Sequence, residues 1–484
     1  MTSGRLDVLV TGGRVVTMDP DRREIDPGFV AVADDRIVGV GPMAECPHDG
    51  AAEEIDASGR AVLPGFVNAH THAVYNLLRG GISDDRSLYD WLLNVVHPGL
   101  KALSPEQAST AVGLFCLEAI RAGITTVVDN ADSGRFPDVA DATLATYERF
   151  GLRAIYARMF TDIVPEAFRA YGDAIMEKEP DVRHYLDVVE DTDKALASID
   201  ELMRVHRGRA QGRIVVWPAP GVAACTTREG LLGAKELSRR WGTKVTIHVA
   251  ESALDREQSG MSSVEYLAAI GFLGPDVLAA HCVQVDAKDI RILAATGTHI
   301  AHNPVSNLFL ASGVAPIAEM AAAGLTLSIG TDDPNCNSSV NLISDLKFAV
   351  LAQKGRYRDA AAITAERALE MATIEGATAV GLEADIGSLE PGKKADLITI
   401  DLARPHLVPL YSVASALVYQ AHGDEVNDVV VDGRVLMRDR VLPVLPPQDE
   451  QAFLARAQAE SEQLIAQAGL ESMRDRGWRA RAPV

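Results

Sequence analysis

Between residues 61 and 385 short apolar runs alternate with longer amphipathic stretches, and no other feature of the chain restricts its fold so strongly. Eight runs read as β-strands, at 62–70, 124–130, 153–159, 213–218, 244–251, 277–281, 299–303 and 325–332. Ala/Leu/Glu-rich segments such as 105–122, 229–241 and 315–323 lie between them, with apolar residues at helical spacing. Strands separated by helices pair in parallel, because a parallel pair needs a crossover of a dozen or more residues. Eight of them favour a TIM-like (β/α)8 barrel over an open α/β sheet.

The flanks have another texture. Residues 6–60 read as short alternating strands at 7–10, 14–18, 29–32 and 36–40, with Gly and Asp-Asp turns between them. The pattern returns at 394–400 and 429–436. Neither flank can bury a core alone, so the two are expected to join in one small composite β-sandwich. The expected organisation is therefore 1–60 (sandwich, first part), 61–385 (barrel), 386–447 (sandwich, second part) and 448–484 (C-terminal helix and tail, helical over 449–468). The charged, helix-like stretch 162–200 reads as solvated surface helix or as a lid.

Chemistry-bearing side chains cluster at the ends of the apolar runs. His70 and His72 close the first run one residue apart, and on a strand such i, i+2 side chains share a face. Alone, the pair could be structural. Downstream, however, His248 and Glu251 end the fifth run, His281 the sixth and Asp332 the eighth. In a parallel barrel these are the C-terminal strand ends, where chemistry sits. His302 and Asn303, after the seventh run, either line a pocket or shape an Asn-Pro turn. Each member also has a bland reading: Asp332 as a helix cap, Glu251 as a surface carboxylate. His97, His184, His206, His299, His406 and His422 are taken as ordinary histidines, and Cys282 is expected to pack outward beside His281.

Composition narrows the partners. With 484 residues and 47% hydrophobic content, the chain can bury a large core and one smaller one. A formal net charge of −21 without a long basic run argues against nucleic acid or an anionic membrane and for a small neutral or weakly basic ligand. Five cysteines without a Cys-x-x-Cys pair disfavour both a disulfide framework and a thiolate metal site, and point to a reducing cytoplasm. No signal-peptide core opens the chain, and no apolar stretch approaches the ~20 residues of a membrane helix.

The strings PGFVNAHTH, HVAES, AAHC, HNPVSN and GTDD, in this order, resemble the metal-dependent amidohydrolase superfamily, within it the branch that deaminates or dechlorinates N-heteroaromatic rings. The resemblance spans essentially the whole chain, flanks included (VTGGRVVTMD, IGSLEPGKKADLITID, VVVDGRVL). LLRGG, LYDWL, DNADS, WPAP and GTDDPNCN bring it nearest to the melamine- and atrazine-converting members. Binuclear relatives bridge two metals with a lysine on the fourth strand. Here 213–218 has none, which favours a single ion.

Water is a poor nucleophile toward a ring carbon, so such a reaction needs a divalent ion to make hydroxide at neutral pH. We assign His70, His72, His248 and Asp332 as its ligands, with Zn2+ expected and Fe2+ the rival. Asp332 doubles as general base, and Glu251 is placed to protonate the ring and then the departing amine. By resemblance, His281 hydrogen-bonds the attacking water. The resemblance also puts Asp333 and Cys336 against the leaving group, where Asp with Cys accompanies amine loss and Asn with Ser accompanies chloride loss. Leu88 and Trp91 flank the ring or pack as helix core. Tyr75 stands where these relatives carry Gln, Pro334 where they carry Gly, and the HNP form resembles purine deaminases. The ring is thus an aminotriazine such as melamine, a guanine-like purine or an aminopyrimidine. Expulsion of halide or alkylamine from s-triazines is the first alternative. A catalytically silent binding protein is the second, and it predicts a lost ligand, of which there is none. A homo-oligomer is expected from the resemblance.

Overall fold

Parallel and antiparallel pairing divide the molecule between them. The computed structural model describes residues 6–47, 50–80, 86–178, 188–258 and 260–474. His184, part of the 162–200 stretch and the last ten residues of the tail lie outside them. From the N-terminus come β1 (Leu6–Val16), β2 (Glu24–Ala33), β3 (Arg36–Pro42), β4 (Ala51–Asp56) and β5 (Arg60–Pro64). The central strands are β6 (Phe66–Thr71), β7 (Ile124–Ala131), β8 (Arg153–Phe160), β9 (Ile214–Pro220), β10 (Val245–Val249), a two-residue hairpin β11 (Glu257–Gln258) and β12 (Met261–Ser262), β13 (Val277–His281), β14 (His299–His302) and β15 (Leu327–Ile329). Last come β16 (Leu397–Asp401), β17 (Val426–Val431) and β18 (Arg434–Met437).

Among the described residues the central strands form two four-stranded sheets, β6-β7-β8-β9 and β10-β13-β14-β15, parallel throughout. Single parallel bridges join the sheets at both seams, Thr71 with Asp332 and Val222 with His248. Helices at Pro105–Arg121, Pro137–Phe150, Arg228–Trp241 and Ala287–Thr296 cross between strands. Their ends are marked in the sequence: Ser104 caps Pro105–Arg121 in a capping box with Gln107, and left-handed Gly242 ends Arg228–Trp241. Alternate strand positions feed two separate apolar cores. Val128, Ile155, Ala157, Trp217, Leu278, Ala280 and Ala301 pack together with Ala377 and Val380, while Val127, Tyr156, Val216, Ile247, Ala279 and Ile300 join the larger cluster that includes the helices.

The flanks do pair, across more than three hundred residues: β16 runs antiparallel to β5, with Leu397 opposite Pro64 and Asp401 opposite Arg60. One eight-stranded sheet results, in the order β18-β17-β16-β5-β1-β2-β3, with β4 on β1.

Three expectations need correction. The run 62–70 is two strands: β5 belongs to the flank sheet and β6 to the parallel sheet, so the 60/61 boundary falls inside β5. Gly65 sits at the change, where a Cβ would come within 2.2 Å of the Thr125 side chain. The segments 7–10 and 14–18 are one strand, β1, because left-handed Gly12 makes a bulge in the pairing with β2 rather than a turn. The run expected as a strand to 332 is strand only over Leu327–Ile329, and the chain turns left-handed at Asp332 (φ 57°).

Stretch 162–200 contains helix Glu166–Lys178 and the start of helix Thr192–Val205. Arg158 on β8, fully buried, fastens Glu190 of this stretch through two hydrogen bonds of 2.8 and 2.6 Å. All five cysteines are free thiols. Among the described residues, no helix is long and apolar enough to cross a membrane.

Candidate metal centre

Five buried side chains converge where the parallel strands end. His70 Nε2 stands 3.2 Å and His72 Nε2 3.5 Å from Asp332 Oδ1. His248 Nε2 lies 3.4 Å from His72 Nε2, and the His70 ring centroid is 4.8 Å from that of His248 and 5.1 Å from that of His281. The triads His70–His72–Asp332, His70–His248–His281 and Glu251–His281–Asp332 each bring their ligand atoms within 4.8 Å of one another. The four side chains assigned as ligands are thus together, and His281 is as close to them as they are to each other.

Local backbone aims these groups. Pairing of β6 with β7 slips by one residue between Asn68 and Thr71, a bulge that re-aims side chains at a rim. Ala250, His281, Cys282 and Asp332 all adopt positive φ (47°, 71°, 49° and 57°). A non-glycine in this region costs of order 1–3 kcal/mol, and such strain concentrates at functional sites. Gly330 is required by close approach: a Cβ there would meet Asn303 Oδ1 at 2.3 Å and His70 Cβ at 2.7 Å.

The hydrogen bonds behind the rings decide which nitrogen is free. Gly221 O, 3.0 Å from His248 Nδ1, can only accept, so Nδ1 carries the proton and the Nε2 lone pair faces the cluster. His70 Nδ1 meets the Asn130 amide at 2.8 Å and His281 Nδ1 that of Asn307 at 2.9 Å. An amide can present either NH2 or oxygen, so the tautomers of these two rings follow the turn of their amides.

Burial favours the neutral form of three of the imidazoles. It lowers His72 to about 4 with help from His70, His248 to about 3 with help from His70 and His72, and His281 well below its ordinary value. Asp332 goes the other way: burial alone would raise it, yet the surrounding histidines, His281 and His70 foremost, hold it well below the usual carboxylate range. Its Oδ2 accepts from Ser306 Oγ at 2.5 Å. Glu251 is pushed well up by burial and then by the charges of Asp332 and Asp255. Glu251 Oε1 lies 3.5 Å from His281 Nδ1, has no hydrogen-bond partner and is buried. Asp255 fixes the turn beneath it, accepting from Glu251 N and Ser252 N. Neutral imidazoles and one anionic carboxylate are the donor set that a divalent ion of the zinc or iron type takes.

Above the cluster an open cleft is lined by His72, His248, Glu251, His281 and Asp332. Of the expected contact residues, Tyr75, Leu88 and Trp91 line it. Tyr75 stacks on His72 at 5.5 Å with its hydroxyl donating to Asp132, and Trp91 Nε1 donates to Asn335 Oδ1 at 3.0 Å. Val164, Phe168 and Glu190 from the 162–200 stretch add to the wall.

His302, Asn303, Asp333 and Cys336 are not among the described residues lining the cleft. Cys336 is fully buried, its Sγ 3.2 Å from Ser306 Oγ, and Asp333 caps helix Pro334–Asn337 through a 2.6 Å bond from Asn335 N. Past the left-handed turn at Asp332 the chain runs into helix Pro334–Asn337, which buries both side chains behind the residues that line the cleft. Asn303 holds His281 instead, at 3.3 Å, and both ring nitrogens of the buried His302 lack a partner. Asn130, Ser306 and Asn307 escaped the sequence reading, although DNADS and HNPVSN contain them. His97, taken as ordinary, lines the cleft and is lowered to about 4 by burial. Cys282 packs in the larger core, as expected, although its positive φ takes it out of strand alternation.

A family model described as the amidohydrolase family matches residues 61–436. The chain is 37% identical over 485 residues to an S-triazine hydrolase of Gordonia rubripertincta, covering 96% of this chain and 98% of that protein. It is 36% identical over 464 residues to a 5'-deoxyadenosine deaminase of Methanosarcina mazei, covering 95% and 99%. The crystal structure of an adenosine deaminase from Xanthomonas campestris with bound zinc superposes with a TM-score of 0.84 at 28% identity, covering 96% of this chain and all of that one.

Proposed function

The chain belongs to the amidohydrolase family, and from that membership and the geometry of its buried cluster we propose that it is a metal-dependent hydrolytic deaminase of N-heteroaromatic amines, releasing ammonia. The observation that carries the reading is the convergence of His70, His72, His248, His281 and Asp332 at the strand ends with the buried, unpartnered Glu251 Oε1 beside His281. Burial pushes the Glu251 carboxyl up while the surrounding histidines hold Asp332 down. Two carboxyls pushed apart in this way divide acid from base.

His70, His72, His248 and Asp332 would hold one divalent ion, Zn2+ in our reading, with the Asn130 oxygen turned toward His70 Nδ1. The ion supplies hydroxide at neutral pH, lowering the pKa of water from 15.7 to about 7. Asp332 takes the proton of the attacking water on Oδ2, the oxygen turned toward Ser306 and His281. His281 orients that water. Glu251 donates its proton to the ring nitrogen next to the attacked carbon, which lets the ring accept the new bond. The proton that Asp332 collects then passes to the exocyclic nitrogen, which departs as ammonia rather than as amide ion, while the new hydroxyl returns its proton to Glu251 and becomes the ring carbonyl. Tyr75, Leu88 and Trp91 flank the ring plane.

The same reading completes the fold. The seams at Thr71 and Val222 close the two parallel sheets into one eight-stranded barrel, and β1, which pairs β4 along its first half and β5 along its second, folds the flank sheet into a sandwich. The catalytic unit expected at 61–385 then begins after β5, which is reassigned to the flank. A cytoplasmic homo-oligomer remains our expectation.

Melamine, guanine, 5'-deoxyadenosine and a chlorotriazine, assayed side by side for ammonia and chloride, test the reading. Ammonia should lead. Chloride outrunning ammonia overturns it in favour of dechlorination, the reading that likeness to S-triazine hydrolase keeps in view.

A further inference from the structure

Far along the chain from the cleft residues, two more histidines and a glutamate come together. His406 lies between β16 and helix Val413–Tyr419, and His422 and Glu425 lie in the turn between that helix and β17. The two rings stack face to face, centroids 4.4 Å apart and 19° between planes. His406 Nε2 is 2.6 Å from Glu425 Oε1, and one ligand atom from each of the three residues falls within 4.8 Å of the others. From these positions we propose a second, peripheral divalent-cation site, formed by His406, His422 and Glu425, that takes a borderline transition metal such as Zn2+.

The carboxylate is built in place. Glu425 has no exposed side-chain surface, while the His406 ring is one-third exposed. The backbone N–H groups of His422 (3.0 Å) and Gly423 (2.7 Å) donate to the carboxylate. Asn341 pins the turn by donating to His422 O at 2.6 Å, and left-handed Gly423 is needed there because a Cβ would strike that same asparagine at 2.5 Å. A buried carboxylate calls for a positive partner. Arg440 is near enough to feel the charge of Glu425, but its hydrogen bonds go to the carbonyls of Asp424 and Val426, at 2.8 Å each. The groups that face Glu425 directly are the two imidazoles, open to solvent on one side and so reachable by an ion.

The ligand class follows from the donors. Two imidazoles and one carboxylate suit Zn2+, Ni2+ or Cu2+, whereas Mg2+ and Ca2+ want oxygen shells. Three protein ligands leave the remaining position to water. Bound there, an ion would tie the segment after β16 to the turn before β17.

Enzyme carrying its catalytic ion is titrated with Zn2+ by calorimetry, as wild type, His422→Ala and His406→Ala. Wild type should take up one further equivalent that is at least ten-fold weaker or lost in both variants, with no uptake of Mg2+. Zn2+ should also raise the Tm of wild type but not of His422→Ala. Deaminase turnover should match in all three proteins, since neither histidine touches the cleft. The same number and affinity of Zn2+ sites in wild type and His422→Ala overturns the proposal, and because His422 is exposed, that variant keeps its fold.

Discussion

The two ends of the parallel strands bury charge in opposite ways. At the N-terminal ends, Arg153 opens β8 and Arg213 precedes β9. Arg153 reaches Asp396 at 3.1 Å and Asp432 at 3.2 Å, while Arg213 and Lys394 reach Asp432 at 3.2 Å each. Every charge in that group meets an opposite one, and the group ties the parallel sheet to the flank sheet. At the C-terminal ends, Glu251 Oε1 and His72 Nδ1 are buried without partners, and His70 Nε2 faces only the ligand cluster. Burying polar atoms unpaired costs about 1–3 kcal/mol each, so a fold keeps them where something else will pair them. Paired charge marks the end that holds the molecule together, and unpartnered polar atoms the end that waits for ion and substrate.

Removing the ion tests the waiting end hardest. Dialysis against a chelator should abolish turnover, with recovery on adding Zn2+ or Fe2+ measured as ammonia release; full activity in enzyme shown to be free of metal would erase the contrast between the ends. Glu251→Gln comes next. It should lower kcat by about 10²–10⁴-fold, the usual worth of a positioned acid, while elemental analysis finds the ion retained.

The paired end should respond in stability instead. Arg153→Leu strands Asp396 and costs about 3–5 kcal/mol, as breaking a buried pair does, seen as a lowered denaturant midpoint with metal content unchanged. Loss of metal in that variant would mean the two ends are coupled.

The smallest effect belongs to Glu375, on helix Ile374–Val380, which packs beneath the same end. Burial raises it from 4.5 to about 7, although Arg367 lies 2.5 Å away. Between those pH values the folded chain binds the extra proton, so stability falls as pH rises through the window, by at most about 3 kcal/mol at 1.36 kcal/mol per unit. Glu375→Gln should flatten that slope in denaturant titrations at pH 5 and pH 7.5.

Much of the site could be read in the chain itself, because His, Asp and Glu are common ligands and a parallel barrel gathers its chemistry at strand ends. The alternation of runs also placed the parallel strands to within a few residues. What escaped was local backbone: Gly12 as a bulge rather than a turn, and the split of 62–70 at Gly65. The surroundings of residues next to the expected ligands were not legible either. Asp333 and Cys336 follow Asp332 directly, yet its left-handed φ carries them behind the cleft wall. His97 reaches the cleft from a segment that carried no motif, and Asp132 from within DNADS, where it had been assigned no role.

By itself the sequence determined the period of its apolar residues and the type of donor at each strand end, since both are properties of a single run of chain. Only the tertiary structure decided which amides turn the rings, which carboxyl stays neutral and that His406 meets Glu425. Those depend on burial and on distances between residues tens to hundreds of positions apart, which no local pattern records.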